Sequence, residues 1–137
     1  MGITKAMIFL TVLFIGFTDE TSARNIKIVE IDSAGLSDLD DVTVVNSCKL
    51  FKPTKKQVEL FFSKAYPVDS RLSVHKFYSP CYAKGVIEYA DGNKGRWVLK
   101  SSGIAGITWE GSGEVVLLYR NNKWNDPFFD TYDENGV

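Results

Sequence analysis

The chain has 137 residues, with 16 basic and 17 acidic side chains, a formal net charge of −1, and 45% hydrophobic residues. That length suits one compact domain around one core. The near-neutral balance lacks the basic excess of a nucleic-acid binder and the clustered Lys/Arg of an anionic-membrane binder.

Lys5 precedes an apolar run, AMIFLTVLFIGF at residues 6–17, and a polar stretch ending in Thr21, Ser22 and Ala23. A positive charge, a run of roughly a dozen apolar residues and small residues at −3 and −1 predict a signal peptide, 1–23, cut after Ala23. The run is shorter than the roughly 20 residues that span a bilayer, so no stable membrane anchor is expected after cleavage. The mature chain, 24–137, has 114 residues and is expected to form a single α+β domain. Removing Lys5, Asp19 and Glu20 leaves 15 basic and 15 acidic side chains. Export places the domain in the periplasm or outside the cell.

Residues 25–31 (NIKIVEI) alternate in part and predict a strand. Residues 34–41 (AGLSDLDD) are small and acidic and predict a loop or a short helical turn. The β-branched stretch 42–51 (VTVVNSCKLF) predicts a second strand. Residues 52–69 carry the clearest helix. Thr54 and Gln57 have the spacing of a capping box. Val58, Phe61, Phe62 and Ala65 recur at helical spacing, and Pro67 stops the run. The basic cluster KPTKK, residues 52–56, reads as a solvated helix start.

From Arg71 onward the period is two. Residues 71–78, 81–90, 96–100, the GIAGITWE run and the EVVLLYR run predict strands joined by Gly-rich turns, DGNKG and GSG. In 96–100, Trp97 and Leu99 oppose Arg96, Val98 and Lys100. The fold class that results is α+β: one main helix on an antiparallel sheet of about five to six strands. The tail after Arg120 carries Trp124, Phe128, Phe129 and Tyr132, which are expected to dock somewhere on this body.

Cys48 and Cys81 are the two cysteines. An even count in an exported chain predicts a disulfide between them. On the chain-entropy model a bridge enclosing a loop of this length is worth roughly 3–4 kcal/mol.

Little here carries catalysis. His75 lies six residues before Cys81 and invites a Cys–His nucleophile reading, but a disulfide consumes that thiol. One histidine and two distant cysteines match no metal-ligand spacing, and no phosphate loop is present, so no metal or cofactor is expected. Asp91, Glu110 and Glu114 lie at turns, and Asp126, Asp130, Asp133 and Glu134 lie in the tail. A pair of them across a cleft would give a small secreted hydrolase; the plainer reading is that acids belong at turns and on solvated tails. Trp124 amid Asn122, Lys123, Asn125 and Asp126 has the look of a binding hot spot, or else packs the tail over a sheet edge.

The run MIFLTVLFIGF, the helix PTKKQVELFFSKA, the corner SPCYAKG and the hairpin strand GRWVLKSSG together resemble small exported bacterial proteins of the immunity or inhibitor type. The resemblance implies a non-catalytic domain that binds and blocks a protein, a toxin or cell-wall hydrolase. The stapled, neutral domain without a catalytic set is expected to act by occlusion, a strand edge or loop entering the partner's cleft. Trp124, Asp126, Asp130, Asp133 and Glu134 are the expected partner contacts, the acids pairing with a basic cleft.

Overall fold

The alternating half of the chain builds the sheet as its period requires. The computed structural model describes residues 25–132; the signal peptide expected at 1–23, and Asp133 and Glu134 of the tail, lie outside the described residues. Strands β3 (Cys81–Tyr89), β4 (Lys94–Lys100), β5 (Ile104–Trp109) and β6 (Glu114–Leu118) form an antiparallel meander. Strand β1 (Ile26–Ser37) pairs antiparallel with β3 at one edge, and the two-residue β2 (Tyr66–Pro67) pairs with β6 at the other. The sheet therefore has six strands in the order β1-β3-β4-β5-β6-β2.

The register puts one row of side chains across the main core. Ile31 opposes Gly85, Gly85 opposes Trp97, Trp97 opposes Ile107, and Ile107 opposes Val115. Gly85 is the close-approach point of this row. A Cβ there would lie 1.9 Å from the Glu30 carbonyl oxygen and 2.6 Å from Trp97 Cζ2. Only glycine lets β1 and the indole meet over β3. Trp97 and Leu99 are fully buried while Arg96 and Val98 are exposed, as alternation demands.

Helices α1 (Val42–Cys48) and α2 (Lys55–Lys64) cover that face. In α2 the capping box forms as its sequence requires. Thr54 Oγ1 accepts from the Gln57 amide at 3.2 Å, and Gln57 Oε1 accepts from the Thr54 amide at 2.8 Å. Val58, Phe61 and Phe62 are buried on one stripe. The helix stops at Lys64, because Ala65 is already extended (ψ 143°) ahead of Tyr66 and Pro67.

Three segments differ from their sequence reading. Residues 34–37, expected in a loop or short helical turn, continue β1 through register shifts. Residues 42–48, expected as a strand, are helical. Asp41 Oδ1 caps α1 by accepting from Thr43 N at 2.9 Å and Val44 N at 3.1 Å. A strand would turn Asn46 inward with Val44 and Cys48; a helix puts Val44 and Cys48 on one face and leaves Val42 and Asn46 in solvent. Residues 72–75, also expected in a strand, form the short helix α3 (Leu72–His75). Asp69 accepts from the Arg71 amide at 2.9 Å, and Ser73 Oγ donates to the Ser70 carbonyl at 2.6 Å, so local side-chain bonds win over the alternating pattern.

The segment around α3 crosses the opposite face of the sheet. There Phe77, Ile104 and Leu118 make a second, smaller cluster with Val68, Leu72, Val116 and Tyr132. The disulfide joins Cys48, the last residue of α1, to Cys81, the first of β3, with Cα atoms 4.8 Å apart and both residues fully buried.

Candidate functional site

The sheet has two ends of different character. At one end the β4–β5 turn, the disulfide and the start of β3 meet the chain after β6. At the other end the β3–β4 and β5–β6 hairpins turn side by side.

The first end is held by the strap formed by residues 120–132. Trp124 sits at 9% exposure, its ring 5.6 Å from Phe51 and 5.9 Å from Phe61. Its indole N–H donates to the Ser101 carbonyl at 2.8 Å. The tail thus packs over the sheet end through Trp124, which is a core anchor and offers almost no surface to a partner. Beneath it runs an oriented chain of donors. The Cys81 amide donates to Ser79 Oγ at 3.1 Å, Ser79 and Ser101 hydroxyls bond at 2.6 Å, and Ser101 Oγ donates to Asp126 Oδ1 at 2.7 Å. Asp126 Oδ1 also accepts from the Phe128 amide at 3.1 Å and from the Tyr132 hydroxyl at 3.0 Å. Burial of the Tyr132 phenol, aided by the Asp126 charge, pushes its pKa up to about 12. Arg120 stacks between Phe77 and Tyr132, 4.5 and 5.1 Å from their centroids, and donates to the Ser102 carbonyl.

Above this network lies a hollow of about 420 Å³, lined among others by Ser101, Arg120, Asn122, Asn125, Asp126 and Phe129. Asp130 is exposed beside it in sequence, while Asp126 is half-buried and committed to the strap. Of the five expected partner contacts, then, Trp124 and Asp126 serve the fold, and Asp130 alone among the described ones is a free-standing surface acid. Phe129, expected to dock on the body with the other tail aromatics, is instead 73% exposed. Arg120 and the serines at 79 and 101 were not singled out from the sequence.

The second end consists of two Gly-tipped turns. The Tyr89 amide donates to the Asn93 carbonyl at 2.9 Å, and the Trp109 amide to the Gly113 carbonyl at 3.0 Å. The Glu110 amide donates to the Lys94 carbonyl at 3.0 Å and braces one hairpin against the other. Gly92, Gly111 and Gly113 have φ of 90°, 77° and 61°, and a Cβ at any of them would meet nothing within 4 Å. The tips therefore stand clear of the body. Asp91 spends its carboxylate on its own turn, accepting from Asn93 N at 3.0 Å and Asn93 Nδ2 at 3.2 Å. Lys94 lies 4.0 Å from Glu88, whereas Glu110 and Glu114 have no ion-pair partner among the described residues. A shallow hollow of about 290 Å³ separates the tips.

Cys81 is bridged, and His75 is exposed on α3, so the two do not form a nucleophile pair. Among the described residues no three His, Cys, Asp or Glu side chains gather as a metal site, and no helix is long and apolar enough to cross a membrane. Against models of known protein families, curated proteins and solved structures, the chain finds no match.

Proposed function

We propose that the chain is an exported, non-catalytic protein-binding domain, a periplasmic or secreted immunity or inhibitor protein that blocks a toxin or cell-wall hydrolase. The observation that carries this reading is the braced pair of hairpin tips. Narrow, rigid loops that project beyond the body can enter a cleft with little conformational entropy to lose. Their uncompensated acids, Glu110 and Glu114, suit a basic cleft and would speed association with it. In this reading the contact surface is the hairpin end rather than the acidic tail, and the mechanism is occlusion of a partner's cleft. The buried disulfide is what an oxidising compartment such as the periplasm supports.

The test is affinity capture from periplasmic extract with the exported chain and with a Glu110→Lys/Glu114→Lys variant. The wild type is expected to retain a specific protein whose activity falls when the domain is added, and the variant to lose it. Identical capture profiles for the two, or a captured enzyme whose turnover is unchanged, would refute the proposal.

A further inference from the structure

At the strap end, far from the hairpin tips, lies a second surface that protein occlusion does not use. We propose that the hollow beside Phe129 is a binding subsite for a neutral saccharide, with Phe129 as its stacking platform and Asp126, Asn125 and Asn122 as hydroxyl partners.

The size is appropriate: about 420 Å³ falls within the roughly 300–1,000 Å³ of small-molecule sites. The polar groups are held in place and yet not used up. Asp126 has one oxygen, Oδ1, fixed by donors from Ser101, Phe128 and Tyr132. Its Oδ2 has no hydrogen-bond partner among the described residues and is not sealed from solvent. Asn122 Nδ2 donates to the Tyr119 carbonyl at 2.5 Å, which fixes the amide and leaves Oδ1 as an acceptor. The Asn125 side chain is exposed and makes no hydrogen bond among the described residues. A fixed carboxylate oxygen and planar amides are the groups that accept and donate to paired hydroxyls.

The rim supplies the other half of sugar recognition. Phe129 is 73% exposed although its neighbour Phe128 packs on the core. Its ring face is electron-rich and attracts the polarised C–H groups on the flat side of a pyranose.

Charge and polarity narrow the ligand class. The lining carries both a carboxylate, Asp126, and a guanidinium, Arg120, so neither an anion nor a cation meets a lining of purely opposite charge. An apolar ligand would strip water from Asp126, Asn122 and Asn125 without replacing their hydrogen bonds. A neutral polyhydroxylated ring with one apolar face satisfies all of these at once.

The experiment is calorimetric titration of the exported wild-type chain with tri-N-acetylglucosamine, cellotriose and maltotriose, repeated on Phe129→Ala and Asn125→Ala. Both residues are surface positions, so both variants are expected to keep the wild-type melting temperature. At least one saccharide is expected to bind saturably at concentrations up to about 10 mM, and each variant to weaken it at least tenfold, about 1.4 kcal/mol. No saturable binding by any of the three, or binding that Phe129→Ala retains, would overturn the proposal. Loss of a captured protein from Phe129→Ala, with no saccharide binding, would also overturn it and assign the hollow to a protein contact. The hairpin-tip variant leaves this hollow untouched, so failure here and failure of the occlusion reading are told apart.

Discussion

Trp124→Ala separates the two roles a tryptophan in a polar stretch can have. A surface hot spot can be truncated with no cost to folding. A core anchor cannot. The residue is 9% exposed, and its ring packs on Phe51 and Phe61. Truncating a buried aromatic costs about 3–5 kcal/mol. The Ser101 carbonyl would lose its indole donor, a loss worth about 1–3 kcal/mol where water does not replace it. The strap is also the route by which Asp126 reaches Ser101 and Tyr132, so the change is expected to loosen that network. We expect a destabilisation of about 4 kcal/mol, read as a fall of roughly 15 °C in Tm for a domain near a hundred residues. Trp124→Phe keeps an aromatic ring against Phe51 and Phe61 but not the N–H, and is expected to cost about 1–2 kcal/mol. Urea unfolding followed by circular dichroism measures both. A Trp124→Ala loss under about 1 kcal/mol, well below the range for a buried aromatic, would refute the packing argument.

Three further outcomes are expected. Thiol titration of the unreduced, denatured chain should find no free thiol, and the Cys48→Ala/Cys81→Ala variant should lose about 3–4 kcal/mol by urea unfolding; two free thiols per chain would remove the bridge. Gly85→Ala should destabilise by more than about 2 kcal/mol, because its Cβ meets backbone of β1, whereas Gly92→Ala should cost only about 1–2 kcal/mol, from positive φ in open space; equal costs would contradict the close approach. The Tyr132 phenol holds its proton more tightly folded than unfolded, so its contribution is whole below pH 10 and is lost as pH rises through about 12. Tyr132→Phe should flatten the decline in stability over that window, and an unchanged alkaline slope in urea titrations would place the phenol elsewhere.

The α+β class, the main helix and the bridge were legible because each rests on local or combinatorial signals. Thr54 and Gln57 meet across one turn whatever surrounds them. The alternation from Cys81 to Lys100 marks one face of each strand for burial, and the structure buries the expected one at Trp97 and Leu99. Two cysteines leave one pairing.

What the tertiary structure decided lies where local signals were weak or opposed. The β-branched run at 42–48 favours a strand by composition, yet an Asp41 cap and a core that accepts Val44 and Cys48 together make it helical. The run at 71–78 alternates, but Asp69 and Ser70 close a turn first, and the covering of Ile104 and Leu118 then settles where Leu72 and Phe77 lie. Trp124 is the sharpest case. Its flanking polar residues describe its neighbours along the chain, whereas burial depends on what meets it across space: Phe51 before the main helix, Phe61 within it, and the Ser101 carbonyl in a turn. Sequence alone determined which residues can build a sheet, a helix and a bridge. Only the assembled body determined which of its surfaces the tail would cover, and so which were left exposed.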